Sequence, residues 1–324
     1  MCKKIQILID PSHKNWVLGG LFQEVAFSSP DFFLKPKLIS NVRSKYFIQS
    51  LITVLYLRFS KNPILFSSVT PLMNYLKISK SDSSIKILWF THQYGDFSNE
   101  TLSILKKVNL ILVHSKNEAA KLIKLGLSCP IVPLVGAIDP TLFKEVSVEG
   151  DKIAIIGTPT IRKNVDILAN FIKLNPHLNF KILGKNWMEH QIWKDFEKLI
   201  NIEYYEINRR VYGDDLKDCS HHLILSEVEG GPISLIESVA SGLVPVCTRT
   251  GIAEEFLSEC GYLAQLLDNP SDFNSIKIKL RNKYSAGHKL YAAELAKGYS
   301  IFRFSKNMKA EIEKVLNSKV LKIK

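Results

Sequence analysis

No stretch of this 324-residue chain approaches the roughly 18 uninterrupted apolar residues that a bilayer-spanning helix requires. The nearest run, Tyr46-Phe47-Ile48 to Leu57, is interrupted by Gln49 and Ser50 and ends at Arg58; it reads as a buried helix. Lys3 and Lys4 precede an apolar stretch at the start, but Asp10 follows too soon for a signal peptide, so Ile5–Asp10 is expected to be the first strand. Cysteine is scarce. The five, at positions 2, 129, 219, 247 and 260, form no C-x-x-C pair, which argues against a disulfide framework and a zinc site and fits a reducing cytosol. Aromatic residues are not interleaved with arginine and lysine in any stripe, so nucleic acid is not expected as a partner. No internal repeat or low-complexity tract is visible.

What is present is the mixture of a globular protein: 46% apolar and 23% charged residues, in a length that suits two ordinary domains. Short apolar runs at Ile5–Asp10, Pro63–Ser67, Ile85–Phe90, Leu110–His114 and Ile131–Leu134 read as buried strands, with a helical stretch at Asn117–Leu125. The pattern restarts with strands at Lys152–Gly157, Phe180–Leu183, Ile202–Tyr205, His222–Leu225 and Val244–Cys247. Amphipathic helices are expected at Asn164–Leu174 and Glu189–Ile200. Such alternation predicts two consecutive α/β units with parallel sheets. The turn-rich stretch from Val135 through Pro140 to Asp151 is the expected hinge. The resulting division is a first domain over 1–145, a second over 146–300, and a C-terminal helix over 301–324 packing back on the first.

Charge is unevenly spread. To Glu145 there are 18 Lys/Arg against 9 Asp/Glu, so +9 of the chain's +12 lies in the first 145 residues. A basic first domain suits an anionic partner, whether a membrane surface, a lipid diphosphate acceptor or, on charge alone, nucleic acid, and equally a merely solvated lysine-rich surface, since the lysines are scattered.

The densest signal is Ser226-Glu227-Val228-Glu229-Gly230-Gly231-Pro232-Ile233-Ser234-Leu235-Ile236-Glu237. It follows the strand-like His222–Leu225, so Glu229 falls in a strand-to-helix loop and Glu237 about two turns into the helix. Unpaired N–H groups and the positive end of the helix dipole suit a phosphate there, and the two glutamates offer acceptors for hydroxyls on either side. Ligands of parallel sheets bind beyond the carboxyl ends of strands, which draws attention to three other loops. Leu18-Gly19-Gly20-Leu21 follows the first strand, and its glycine pair before a helix allows close approach of a phosphate or sugar, or is simply a turn. Thr91-His92-Gln93 follows the strand ending at Phe90, and a histidine there can donate to a sugar hydroxyl without carrying charge, or be satisfied by backbone. Thr158 to Asn164 contains Arg162 and Lys163, cations at a helix start where the dipole disfavours them unless an anion is present.

These features resemble the retaining glycosyltransferases of the GT-B fold, family four, whose donor signature is a glutamate pair in a glycine-containing strand-to-helix loop. The resemblance continues through Glu237-Ser238-Val239-Ala240-Ser241-Gly242-Leu243-Val244-Pro245-Val246, with Gly242 as a left-handed C-cap, and through Gly136, Asp139 and Phe143 of a Gly-x-Asp-x-x-x-Phe segment. It implies two Rossmann-like α/β domains with parallel sheets facing across a cleft, an acceptor-binding first domain and a nucleotide-sugar-binding second one. It implies that Glu229 contacts the donor sugar and Glu237 the ribose. Gly230, Gly231 and the N–H groups of Ile233 and Ser234 would lie by the phosphates. Lys163 would offset charge on the leaving diphosphate, and Gly19, Gly20 and His92 would approach the donor. Where the family places an arginine the chain has Thr158, with Arg162 as the substitute.

The implied activity is a hexosyltransferase reaction. A sugar passes from a nucleotide-diphosphate donor to a saccharide or lipid-linked acceptor, with retention of configuration, in bacterial envelope polysaccharide synthesis, in the cytoplasm or at the inner face of an anionic membrane. Catalytic roles fall to His92, Lys163 and Glu229. With no Asp-x-Asp motif, only Asp214-Asp215, neither a metal nor another cofactor is called for. Two other readings stand beside it: a GT-B nucleotide-sugar epimerase or hydrolase, which would want more acid/base groups than His92, and a non-catalytic nucleotide-sugar-binding protein, to which Thr158 lends weight.

Overall fold

The computed structural model describes residues 4–13, 17–41, 44–60, 62–79, 83–91, 97–143, 150–207, 213–260, 265–271, 276, 291, 294, 295 and 298–321. The chain divides into two compact units, Met1–Gly136 with Ile301–Lys324, and Ala137–Ser300.

In the first unit β1 (Ile5–Ile9), β2 (Phe33–Leu38), β3 (Ile64–Phe66), β4 (Lys86–Phe90), β5 (Leu110–Val113) and β6 (Ile131–Pro133) form one sheet in the order β2-β1-β3-β4-β5-β6, and every pairing is parallel. The central strands are buried along their whole length, as expected of a parallel sheet covered on both faces. One face is closed by α2 (Phe47–Ser60), α3 (Val69–Ile78), α4 (Asn99–Leu105) and α5 (Lys116–Lys124), whose Val54, Leu57, Leu72, Tyr75, Leu105 and Leu122 meet Leu8, Phe66, Leu88 and Phe90. Ser98 and Ser115 cap α4 and α5 by accepting from the N–H groups of Thr101 and Glu118. α1 (Val17–Ser28) packs on β2 and on the chain's last helix, Ile301–Leu321. That helix buries Phe304, Met308 and Ile312, sets Phe304 edge-on to Trp89 at 5.2 Å, and donates from Ser305 Oγ to Ser29 Oγ at 2.8 Å.

The second unit repeats the plan. β7 (Lys152–Ile156), β8 (Phe180–Gly184), β9 (Ile202–Glu206), β10 (Cys219–Ile224), β11 (Val244–Thr248) and β12 (Gln265–Leu267) form a parallel sheet ordered β12-β11-β10-β7-β8-β9. α6 (Val165–Leu174), α7 (Trp193–Phe196), α8 (Ile233–Ala240) and α9 (Ala253–Cys260) connect it, and Leu168, Phe171 and Ile172 of α6 pack with Ile153, Phe180 and Ile182. At the amino end of the strands Asp218 accepts from Lys152 and Lys181, both at 2.8 Å, and Lys152 also reaches Glu203 at 2.6 Å.

Three sequence expectations need correction. β2 and β12 were not anticipated. β2 is an edge strand that carries Pro36 and two lysines, a composition tolerated only at an edge. The expected helix Glu189–Ile200 shrinks to Trp193–Phe196, because Trp187, behind left-handed Asn186 (φ 62°), is drawn under β7 and donates from Nε1 to Gly157 O at 2.7 Å. Finally, α2 is not a buried helix: only Ser50, Thr53, Val54 and Leu57 face inward.

Candidate functional site

Read from its other edge, the second sheet runs β9-β8-β7-β10-β11-β12: the order reverses between β7 and β10, so the crevice beyond their carboxyl ends is the natural ligand position of this topology. The loops leaving those two strands are the ones that carry Arg162, Lys163 and Glu229.

β7 ends at Ile156, and Gly157 turns the chain with φ +132°; a Cβ there would stand 3.1 Å from Lys163 Cε and 3.2 Å from its Nζ. Only glycine serves at such a φ, and the lysine stem occupies the space so left open. The loop then forms a 3-10 turn over Ile161–Lys163 and left-handed Asn164 (φ 51°, ψ 49°), whose Nδ2 donates to Leu225 O at 2.8 Å. From the facing loop the Glu227 N–H donates to Arg162 O at 2.8 Å. The two loops are thus tied by backbone as well as side chain.

At their junction sits the Glu229 carboxylate. Lys163 Nζ lies 2.9 Å from Oε1 and Arg162 Nη1 lies 2.6 Å from Oε2, while Ser226 Oγ donates to Oε1 at 2.9 Å. The glutamate side chain is 6% exposed, against 27% for Arg162 and 19% for Lys163. The cations are therefore the more accessible members of the cluster. Burial alone would push the carboxyl up, but Lys163, Arg162 and the Ser226 hydroxyl outweigh it and hold Glu229 down at about 2. It is an anion at any physiological pH. The two cations at the helix start thus meet an anion that the chain itself supplies.

Around this triad the support is dense. Thr248 Oγ1 at the end of β11 donates to Ser226 O. Gly251 (φ +57°) lies so close that a Cβ would come within 2.8 Å of Glu229 O and 2.7 Å of Gly230 O. Beneath, His222 on β10 is fully buried with Nδ1 2.9 Å from Ser238 Oγ. Ser238 Oγ also donates to Leu235 O at 3.0 Å, and His222 Nε2 has no hydrogen-bond partner among the described residues. Burial, reinforced by Lys163, pushes this imidazole down to about 3, so it is neutral.

α8 starts at Ile233, with Pro232 as its N-cap residue. Gly230 and Gly231 bring the chain to that start without side chains. The N–H groups of Ile233 and Ser234, at the first two helical positions, have no acceptor within the helix. Glu237 is buried one turn into α8 rather than the two expected, because the helix begins after the proline. The helix ends as anticipated at Gly242 (φ +83°), with Gly242 N–H donating to Val239 O and Leu243 N–H to Ser238 O, both at 2.9 Å, a Schellman motif.

Arg162, Lys163 and Glu229 are thus brought into direct contact, with Gly230, Gly231, Ile233, Ser234 and Glu237 on the loop and helix that follow. Thr158 is half-buried, and the guanidinium present at this site is that of Arg162, four positions on. Gly19 and Gly20 belong to the first unit, where they lie inside the first turn of α1 rather than in a loop before it. His92 lies outside the described residues. Sequence reasoning missed Gly157, Asn164, Ser226, His222, Ser238 and Gly251 as parts of the site. Of these only the Asn and Gly residues carried a signal, as types that tolerate positive φ next to strand ends. Among the described residues no group of three His, Cys, Asp or Glu side chains is placed to hold a metal ion.

No protein-family model matches the chain, and a search of curated proteins finds no match. Solved structures do match. HepE of Anabaena in complex with UDP-glucose superposes with a TM-score of 0.76 at 12% identity over 96% of this chain and 100% of that one. Sucrose-phosphate synthase from Thermosynechococcus elongatus gives 0.75 at 12% identity over 98% and 100%, and the lipopolysaccharide outer core galactosyltransferase WaaB gives 0.67 at 14% over 98% and 99%. Two parallel six-stranded sheets with interleaved helices, matched at full length by these proteins, establish the GT-B fold.

Proposed function

We propose that this protein is a glycosyltransferase that takes a sugar from a nucleotide-diphosphate donor bound to its second unit and passes it, with retention of configuration and without a metal, to a saccharide or lipid-linked acceptor. The observation that carries the reading is the Arg162–Lys163–Glu229 cluster at the reversal point of the second sheet, beside the open start of α8. The structural neighbours that hold UDP or UDP-glucose support the same ligand class.

The chemistry follows from the charges. A donor diphosphate at the start of α8 draws Lys163 and Arg162 from the carboxylate, and the freed Glu229 oxygens accept hydroxyls of the sugar. As the bond between the anomeric carbon and the diphosphate oxygen breaks, the two cations and the helix N–H groups stabilise the charge that develops. The acceptor oxygen bonds to the anomeric carbon on the same face, and its proton goes to the departing diphosphate. With the acceptor proton taken by the departing diphosphate, Glu229 acts through positioning and electrostatics. His92 is proposed as a hydrogen-bond donor to the sugar, Gly19 and Gly20 as the close approach from the first unit, and Glu237 as the ribose partner.

The test is a panel of nucleotide sugars with nucleotide diphosphate release and product mass followed for the parent, Glu229→Ala and Lys163→Ala. Turnover with one donor that both substitutions abolish is the expected result. Donor binding with no turnover, acceptors supplied, would make this a non-catalytic nucleotide-sugar-binding protein.

A further inference from the structure

α2 is built the wrong way round for a helix whose outer face meets only water. Its inward positions include Ser50 and Thr53, whereas Ile48, Leu51, Ile52, Leu55, Tyr56 and Phe59 all face outward. At 100° per residue these six fall on one continuous stripe, opposite the buried side. Ile48 is 72% exposed, Ile52 62% and Phe59 83%. Single exposed apolar residues are ordinary, but a stripe along a whole helix marks an interaction surface.

The charges around it name the partner. Between Asp31 and Asp82 there is no acidic residue, while eight lysines and arginines occur. Arg58 and Lys45 are exposed at the two ends of the stripe. Lys37, from the adjoining edge strand β2, places its ammonium 4.5 Å above the Tyr56 ring. An apolar stripe flanked by Lys37, Lys45 and Arg58 is complementary to a surface that is apolar inside and anionic at its boundary. At 14 residues the helix measures about 21 Å, too short to cross a bilayer, and no described helix of the chain is long and apolar enough to do so. Lying in the interface, however, needs only such a face and such a rim.

We propose that the outer face of α2 is a membrane-docking surface that seats the first unit on anionic phospholipid, with Ile48, Ile52, Leu55 and Phe59 entering the boundary of the acyl layer. The inference is independent of the reaction assigned above, since it rests on no residue of the second unit.

The test is sedimentation of the full chain with phosphatidylcholine vesicles and with vesicles of phosphatidylcholine and phosphatidylglycerol in equal parts. Binding to the mixed vesicles, weakened by salt, is expected. The double substitution Ile52→Asn with Phe59→Asn should weaken partitioning about tenfold per side chain, about a hundredfold together, with an unchanged unfolding midpoint because both positions are exposed. Arg58→Glu supplies an independent variant that should lose affinity for the mixed vesicles. No binding of the parent to either vesicle, or undiminished binding of the double variant, overturns the proposal. So does a concentration-dependent dimer in vesicle-free buffer that the double variant abolishes, since the face would then meet a second copy of the chain.

Discussion

Replacing Glu229 by glutamine keeps the shape of the side chain and removes the charge on which Arg162 and Lys163 converge. The carboxyl is held at about 2 from an ordinary 4.5, so the folded protein favours the ionised over the neutral group by about 3 kcal/mol at 1.36 kcal/mol per unit. Its side chain is 6% exposed, and solvent screening takes little from this figure. Breaking a buried pair from one side carries a similar cost. For a unit of about 160 residues the ligand-free variant should melt about 6–12 °C below the parent at neutral pH, measured by circular dichroism. The two cations left without a counter-ion should then favour an added anion, so UDP should raise the midpoint of Glu229→Gln by more than that of the parent. A variant that melts within about 2 °C of the parent would refute the electrostatic account of the cluster. An equal or smaller response to UDP would refute the idea that Glu229 and a phosphate compete for the same cations.

Further outcomes follow from the same geometry. Gly157→Ala places a Cβ at φ +132° against the Lys163 stem; it should cost about 1–3 kcal/mol and weaken nucleotide binding by calorimetry. Gly184→Ala should be worse, because its Cβ would fall 2.0 Å from Gly157 O. Acid should destabilise the second unit well before carboxylates titrate: burial holds His221 at about 4 and His222 at about 3. The unfolded chain takes up protons near 6.5 that the folded one refuses, so stability falls with pH from about 6.5 downward by up to about 1.4 kcal/mol per unit per histidine. His221→Gln should flatten that slope by about half in urea titrations at successive pH values. Asp218→Ala, at the opposite end of the sheet, leaves the buried Lys181 ammonium unpaired; it should lower stability by about 1 kcal/mol or more and leave nucleotide binding unchanged.

Much of the architecture was legible because parallel strands buried on both faces are written as continuous apolar runs: Ile5–Ile9, Leu110–Val113 and Val244–Thr248 could be read nearly to the residue. β2 was not legible, since Phe33–Leu38 contains a proline and two lysines that only an edge position accommodates. The loop of Glu229 and the two cations were found because their residue types are unusual beside strand ends. Their mutual contact was not, as it joins Glu229 to positions 66 and 67 residues before it. Ser226, Gly157 and His222 owe their roles to tertiary neighbours, and a serine, a strand-end glycine or a strand histidine announces nothing by itself. The outward face of α2 was misread for a related reason: hydrophobicity reports that a helix seeks an apolar partner, without saying that the partner belongs to the same chain.

The helix Ile301–Leu321 belongs to the unit that begins the chain, although 164 residues of the second unit separate them. The second unit is therefore an insert within the first, entered at Gly136 and left at Ser300, where Ile138 N–H donates to Tyr299 O at 2.9 Å. On the ribosome the insert can close as soon as it emerges. The first unit must wait for the final helix to bring Phe304 to Trp89 and Ser305 to Ser29. Order of synthesis is thus the reverse of order of completion: a chain stopped at residue 136 lacks part of its own core, whereas a fragment spanning 137–300 should fold alone.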